Sequence, residues 1–308
     1  LPHATGSPPR PPTRAELRRA ALQANPSASP SKAAAAAAAE LAASSIPAAL
    51  KTDTPFFARV LGGAPHHIIN IASFTLPFIL PWLGGAPSRL QLALTVPIAL
   101  LLIGVPMSVC LHRFFSHGAF QTSRPFQFLL GVVACMAYQN GPIWWASKHN
   151  RHHRYCDTAA DPHSWLETGF WYSWVGWTLG RKEIPVDTTF VPMQFRKAPE
   201  LWLLDSFWCV PVLAANLLVW HLAGYEAMIY CLYIPMMLCR LITLGFNVGF
   251  HPMHKRAKEE DAKCKSTDIT RGFAGTLAQC ASHRPGFDLP WHLTIRWWAA
   301  VGLVWNCA

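Results

Sequence analysis

The chain of 308 residues is 52% hydrophobic and only 14% charged, with a net charge of +10. A soluble domain carries about 25% charged residues, so this composition excludes an ordinary soluble globular protein and predicts a membrane protein. The positive charge does not indicate nucleic-acid binding. The basic residues lie in loops beside apolar runs, where the preference of cations for the cytosolic side of a membrane accounts for them.

The first predicted element is a disordered leader over residues 1–55, rich in Ala, Pro and Ser. Such low-complexity sequence buries too little apolar surface to fold. Its Arg- and Ser-bearing, acid-poor composition also suits an organelle transit peptide, and the sequence leaves both interpretations open. We therefore predict one membrane domain, residues 56–308, after this leader.

Four apolar runs follow, and each is read as a helix that crosses the membrane, which takes roughly 20 residues. They pair as two hairpins, 66–86 with 91–111 and 203–221 with 227–249. The polar blocks 112–205 and 252–290 are rich in Lys and Arg, so we expect both on the cytosolic or stromal face. The predicted fold is an all-α, multi-pass integral membrane protein of the endoplasmic reticulum or a plastid membrane. It has four transmembrane helices and a helical cytosolic or stromal cap.

The uncharged segment Pro125–Ser147 is also long enough to cross the membrane, which would put the histidines before and after it on opposite faces. Its polar interruption QNGP at 139–142 instead predicts a re-entrant helix or a helix lying at the interface. A second interfacial element is predicted at 165–177, because its several tryptophans favour that depth.

Histidines cluster where predicted helices end at the polar blocks. In KHNRHH, His149, His152 and His153 have the spacing i, i+3, i+4, which places them on one face of a helix. Neutral imidazole is the commonest metal-ligand side chain. The repeated clusters therefore predict a shared metal centre with six histidine ligands: His112, His117, His149, His152, His153 and His251. His254 is an additional candidate ligand, and His163 in DPHS is expected to support a ligand or fix a loop.

Three segments together carry a family resemblance: HRFFSH at 112–117, KHNRHHRYCDTAADPHS at 148–164 and NVGFH at 247–251. They resemble the membrane fatty acid desaturases, in particular the acyl-CoA and acyl-lipid type. The resemblance implies two iron ions held by histidine boxes at the cytosolic ends of four helices. The six histidines match by position, and Asn247 matches a residue that contacts iron through water.

The chain departs from the family at the third box, a second HxxHH. The interval 268–291 has His283 as its only histidine. The seven matched donors are too few for a complete site of the family type, so the two irons are expected to be incompletely held unless His254 or His283 substitutes. Loss of a short piece of sequence near 273–282 is the more economical explanation.

The resemblance implies an oxygen-dependent desaturase that introduces a cis double bond into a saturated acyl chain. The substrate would be a fatty acyl-CoA or an acyl-lipid, and the electron donor a separate cytochrome b5 or ferredoxin. A hydroxylase or ketolase of the same superfamily, and a non-catalytic four-span remnant, remain alternatives.

Five further residues are candidates for contact with the substrate. Trp144, Trp145 and Trp177 are expected to line the acyl tunnel or, equally, to belong to an interfacial belt. Lys148 and Arg151 are expected on a basic rim that holds a head group or docks an acidic electron donor. Topology alone would also explain these two cations.

Overall fold

The computed structural model describes residues 64–155, 161–179, 183–249 and 290–307. The predicted leader therefore lies outside the described residues. Helix α1 is Ala64–Ile79 and continues as a 3-10 turn, Leu80–Leu83. Helix α2 is Arg89–Ser116, which is α-helical to Leu102 and π-helical from Ile103 onwards.

A capping box begins α2. The Ser88 hydroxyl accepts from the Gln91 backbone N–H at 3.2 Å, and the Gln91 side chain accepts from the Ser88 N–H at 2.7 Å. These two bonds satisfy donors that the first helical turn otherwise leaves without partners. At the other end the π-helical turns, which are frequent at functional sites, carry His112 close to the last residue of the helix.

Helix α3, Arg124–Cys135, and helix α4, Pro142–Tyr155, are separated by a break. Tyr138 and Asn140 have positive φ angles of 62° and 65° there. Positive φ is uncommon for residues other than glycine, so these positions stop a helix. The segment 125–147 is therefore two helices, interrupted at the QNGP sequence.

Two helices in the described residues are long and apolar enough to cross a membrane, Arg89–Ser116 and Tyr225–Phe246. The pair α5, Pro199–Ser206, and α6, Cys209–Ala223, is bent by 65° and counts as a third if it is one broken span. The run predicted at 66–86 contains a shorter apolar helix. The prediction of a helical protein with membrane-length helices is confirmed, and four spans in two hairpins stay a prediction.

Helix α7 and several short segments complete the described fold. Helix α7 begins at Tyr225–Met228, has π-helical turns at Ile229–Tyr233 and continues as Ile234–Gly249. The other helical segments are Trp165–Thr168, Tyr172–Gly176, Trp177–Leu179, Thr188–Phe190, Met193–Arg196, Trp291–Ile295 and Arg296–Ala300. Strands β1, Gln121–Thr122, and β2, Val304–Trp305, pair antiparallel and tie the C-terminal residues to the chain just after α2.

A buried aromatic group holds the end of α2 in place. The Phe114 ring stacks on Phe120 at a centroid distance of 4.9 Å and meets Phe195 edge-on at 5.2 Å. Helix α4 packs against this end of α2 and against α5. The histidines of α2 and α4 are thereby brought to one place. In the segment predicted to be interfacial, Phe170 is 41% exposed and Trp171 is 74% exposed.

Candidate metal centre

Four imidazoles from α2 and α4 converge on one point. His117 Nε2 lies 3.2 Å from His112 Nε2 and 3.0 Å from His149 Nε2. His153 Nε2 lies 2.9 Å from His149 Nε2. All four donor atoms lie within 4.8 Å of one another. We call this group the four-imidazole cluster.

Hydrogen bonds between neutral imidazoles do not account for all of these short nitrogen–nitrogen distances. A neutral ring nitrogen carries either one hydrogen or one lone pair, yet His117 Nε2 faces two other nitrogens at once. Donors that bind one ion at about 2.0–2.1 Å each are expected to lie roughly 3 Å apart. Imidazole suits several divalent first-row metals, so the four-imidazole cluster has the spacing of a site for one such ion.

The electrostatics of the cluster favour the metal-binding form of histidine. Burial, and then the nearby imidazoles led by His153, lower the pKa of His149 well below its usual value. Removing a cation from water and placing it beside other cations both disfavour protonation. His149 is therefore a neutral imidazole, the form that binds metal ions.

His152 belongs to a separate group. Its Nδ1 lies 3.0 Å from Asp161 Oδ2. The backbone N–H of His163 donates to Asp161 Oδ1 at 3.0 Å, and His163 Nδ1 lies 3.7 Å from the same oxygen. All three residues are buried, and their donor atoms lie within 4.8 Å of one another. The five histidines of HRFFSH (the first box) and KHNRHH (the second box) thus divide into four whose donor atoms converge and one, His152, that a carboxylate supports.

The Trp145 ring covers one side of the four-imidazole cluster. It stacks on the His149 ring at a centroid distance of 4.5 Å and an angle of 19°. Its indole N–H donates to Gln139 Oε1 at 3.1 Å, and Gln139 in turn donates to the Thr243 hydroxyl on α7. The imidazole is therefore linked, through Trp145 and Gln139, to a membrane-length helix.

The other two predicted tunnel tryptophans face each other. Trp144 and Trp177 stack at 5.6 Å with an angle of 8°, and Trp177 also lies 5.1 Å from the His163 ring. Exposure is 4% for Trp144, 6% for Trp145 and 3% for Trp177. These residues lie inside the protein and are not part of an exposed interfacial belt. Their contact with an acyl chain stays a prediction.

Lys148 does not lie on an exposed rim, contrary to the expectation from the basic run. Its side chain is buried, its Nζ lies 3.1 Å from Glu183 Oε2, and it donates to Pro185 O at 2.9 Å. Burial lowers the pKa of Lys148, and the Glu183 carboxylate opposes that shift. Arg151 shares Glu183 at 3.1 Å and is the more exposed of the two cations, so it is the better candidate for a head-group contact.

Three carboxylates near the site, Asp161, Glu183 and Asp205, were missed by the sequence analysis. A signal existed for two of them. Asp161 stands in the DPHS motif, and Asp205 is a single carboxylate at the start of a long uncharged run. For Glu183 the sequence offers no signal, because it stands among other charged residues.

Part of the predicted ligand set lies outside the described residues. This applies to His251, His254 and His283, and to the side chain of Asn247, whose backbone is in the last turn of α7. The lack of a second HxxHH motif is likewise an observation on the sequence alone. The proposed metal-binding roles of these four residues stay predictions.

The family model for fatty acid desaturase matches residues 92–277. A relative from Anabaena variabilis, sn-1 stearoyl-lipid 9-desaturase, is 28% identical over 59% of this chain and 67% of its own length. An acyl-CoA 5-desaturase from Anemone leveillei is 31% identical, over 46% of this chain and 44% of its own. The chloroplastic palmitoyl-monogalactosyldiacylglycerol delta-7 desaturase of Arabidopsis thaliana is 26% identical, over 61% of this chain and 49% of its own.

The chain therefore spans about two thirds of the first of these relatives and about half of the other two. The family match covers more than half of the chain and includes all four histidines of the four-imidazole cluster. On the strength of this match, the chain belongs to the fatty acid desaturase family.

Proposed function

We propose that this chain is an oxygen-dependent acyl desaturase that introduces a cis double bond into a saturated fatty acyl chain. The observation that carries the proposal is the convergence of His112, His117, His149 and His153, with ring nitrogens 2.9–3.2 Å apart. Removing hydrogen from an unactivated methylene is beyond side-chain acids and bases. Iron bound by these imidazoles and by His152 would supply the oxygen chemistry that the side chains lack.

The chain's own residues supply position and exclude water. Trp145 covers His149, and the stacked pair Trp144 and Trp177 forms an apolar wall beside His163. An acyl chain against these rings would be held by apolar contact, with its reacting carbons beside the histidines. Holding a substrate in a reactive geometry accounts for a large part of many rate enhancements.

The substrate and partners follow from the family and from charge. The names of the relatives support a fatty acyl-CoA or an acyl-lipid. Arg151, on the solvent side of the buried Lys148 and Glu183 pair, is proposed to contact the head group or an acidic electron donor. That donor is proposed to be cytochrome b5 or ferredoxin, and the membrane that of the endoplasmic reticulum or a plastid.

One observation favours a second candidate, a non-catalytic remnant of the family. The sequence has one HxxHH, at 149–153, where the family pattern has two. A chain without the second could keep the four-imidazole cluster and bind metal without turning over substrate.

Expression in a desaturase-deficient host, with profiling of total fatty acids, tests the proposal. The full chain should yield new cis-alkenoic acids, and His149→Ala should abolish them. His221→Ala, in α6 and exposed, is the matched control and should leave the products unchanged. New hydroxy acids without alkenes would identify a hydroxylase, and an unchanged profile would favour the remnant.

Iron analysis of the purified chain separates the remaining cases. An active enzyme should hold about two irons per chain, since oxygen activation of this type uses a metal cofactor. A chain that binds iron through the four-imidazole cluster but makes no product would be the remnant. A chain that binds no iron would contradict the proposed metal centre itself.

A further inference from the structure

The Asp161 carboxylate is buried beside one histidine of the second box. Asp161 is 3% exposed and His152 is 7% exposed. The contact joins His152 Nδ1 to Asp161 Oδ2 at 3.0 Å, and the other carboxylate oxygen accepts from the His163 backbone N–H at 3.0 Å. A buried carboxylate is stable only where such donors surround it, so this pairing is part of the folded structure.

The contact fixes which ring nitrogen of His152 carries the proton. An ionised carboxylate only accepts hydrogen bonds, so the hydrogen lies on Nδ1. The lone pair is then on Nε2, which becomes the metal-binding atom.

His152 stands beside the four-imidazole cluster without joining it. Its ring centroid is 6.5 Å from that of His149, whereas His149 and His153 are 4.4 Å apart. With Nδ1 engaged by Asp161, His152 offers its donor to a different position from the point where the other four nitrogens meet. The His152 ring is next to the cluster, with its centroid 5.5 Å from that of His153, so an ion bound to His152 would lie near the first.

We propose that Asp161 is a positioning residue that orients His152 as a ligand of a second metal ion, distinct from the ion of the four-imidazole cluster. The inference rests on the proposed function, because it takes the histidines to be metal ligands. Beyond the proposed function, it assigns the binding of the two ions to different residues. Asp161 acts on one ion through His152 and leaves the other unaffected.

The test is a cobalt(II) titration of the purified full chain in detergent, in competition with a chelator, followed by visible absorption and metal analysis. The wild-type chain should bind two cobalt ions. In Asp161→Asn the amide oxygen still accepts a hydrogen bond but the charge is lost. This variant should bind one of the two cobalt ions about 10–100-fold more weakly, the usual effect of removing a supporting group. Asp161→Ala should weaken the same ion further, and the absorption of the other ion should persist.

Asp187→Asn is the matched control. Asp187 is also a buried carboxylate, but its side chain accepts from the backbone and hydroxyl of Thr189 and contacts no imidazole in the described residues. Both cobalt affinities should stay at wild-type values in this variant. A purely structural role for Asp161 would lower the melting temperature of the metal-free Asp161→Asn protein and weaken the binding of both ions together. Measuring that melting temperature therefore distinguishes a structural role from a positioning role.

Three results would overturn this inference alone. Asp161→Asn and Asp161→Ala could bind both ions as tightly as the wild type, or both variants could lose the two ions in parallel. A wild-type chain with a single cobalt site that is insensitive to Asp161 would also overturn it, while leaving the four-imidazole cluster intact. A wild-type chain that binds no cobalt would refute the proposed metal centre as well.

Discussion

The Asp205 carboxylate accepts a hydrogen bond from the backbone N–H of Trp144 at 2.8 Å, although 61 residues separate them. The same oxygen, Oδ1, accepts from the N–H of Ile143 at 2.9 Å. These donors are in the first turn of α4, where backbone N–H groups lack helical partners and negative charge is favourable. Asp205 of α5 thus fixes the start of the helix that carries the second histidine box.

Replacing Asp205 with Ala should destabilise the protein. Two backbone N–H groups would lose their acceptor, and leaving a buried donor unsatisfied costs about 1–3 kcal/mol. Asp205→Asn keeps an oxygen acceptor for these two N–H groups, so it should cost less than the Ala variant. Denaturant titration in detergent micelles should therefore rank the free energy of unfolding as wild type, then Asn, then Ala. Equal values for the Ala variant and the wild type would show that the cap is dispensable.

Gly141 is required where α4 begins, because Asp205 approaches its backbone closely. A Cβ at position 141 would lie 2.5 Å from Asp205 Cα, a distance that real side chains do not adopt. Gly141→Ala should therefore lower the free energy of unfolding by about 1–3 kcal/mol, as overpacking does. It should also reduce bound iron, since α4 carries His149 and His153.

Gly104→Ala is the matched control for this change. Gly104 is in the π-helical part of α2, and a Cβ there meets no atom within 4 Å. Alanine is favoured over glycine inside helices by about 0.5–1 kcal/mol, so this variant should be as stable as the wild type or slightly more so. A similar loss of stability in both variants would refute the steric explanation.

Substitutions of Lys148 and Glu183 should have non-additive effects on the free energy of unfolding. Glu183→Gln leaves the buried Lys148 ammonium without its carboxylate, and breaking a buried ion pair from one side costs about 3–5 kcal/mol. Lys148→Met should cost less, because Glu183 keeps Arg151 at 3.1 Å. The double variant should recover much of the loss, which the free energies of unfolding of the four proteins would measure. Additive losses would mean that the two charges do not interact.

The histidine cluster was predictable from the sequence because its spacing is local. His149, His152 and His153 share a helix face by periodicity alone, and the QNGP break kept them on the same side as His117. Their division into four converging rings and one supported by Asp161 was not predictable. That division depends on the position of Asp161, which lies in the separate segment 161–179 and contacts His152.

Two features depend on tertiary structure that hydropathy and local charge do not report. The run 203–221 was predicted as one membrane-crossing helix; its residues belong to α5 and α6, which are bent by 65° at the break between them, so a single crossing there stays a prediction. A hydropathy profile shows how apolar a run is but contains no information on backbone geometry, so it does not detect a bend. Lys148 was read as an exposed cation because its neighbours are basic, and only the approach of Glu183 allows it to be buried.

The link from Trp145 to α7 gives a final prediction. Gln139→Leu would remove the acceptor of the Trp145 indole N–H, which is buried, at a cost of about 1–3 kcal/mol in the free energy of unfolding. Because Trp145 stacks on His149, this variant should also weaken iron binding by the four-imidazole cluster, measured by chelator competition. Thr243→Val is the matched control, since it removes the partner of the Gln139 amide and leaves the bond from Trp145 to Gln139 in place. It should lose a similar amount of stability, because the buried Gln139 amide loses its acceptor, and should keep its iron affinity. If both variants bind iron like the wild type, the indole hydrogen bond does not hold the ring over His149.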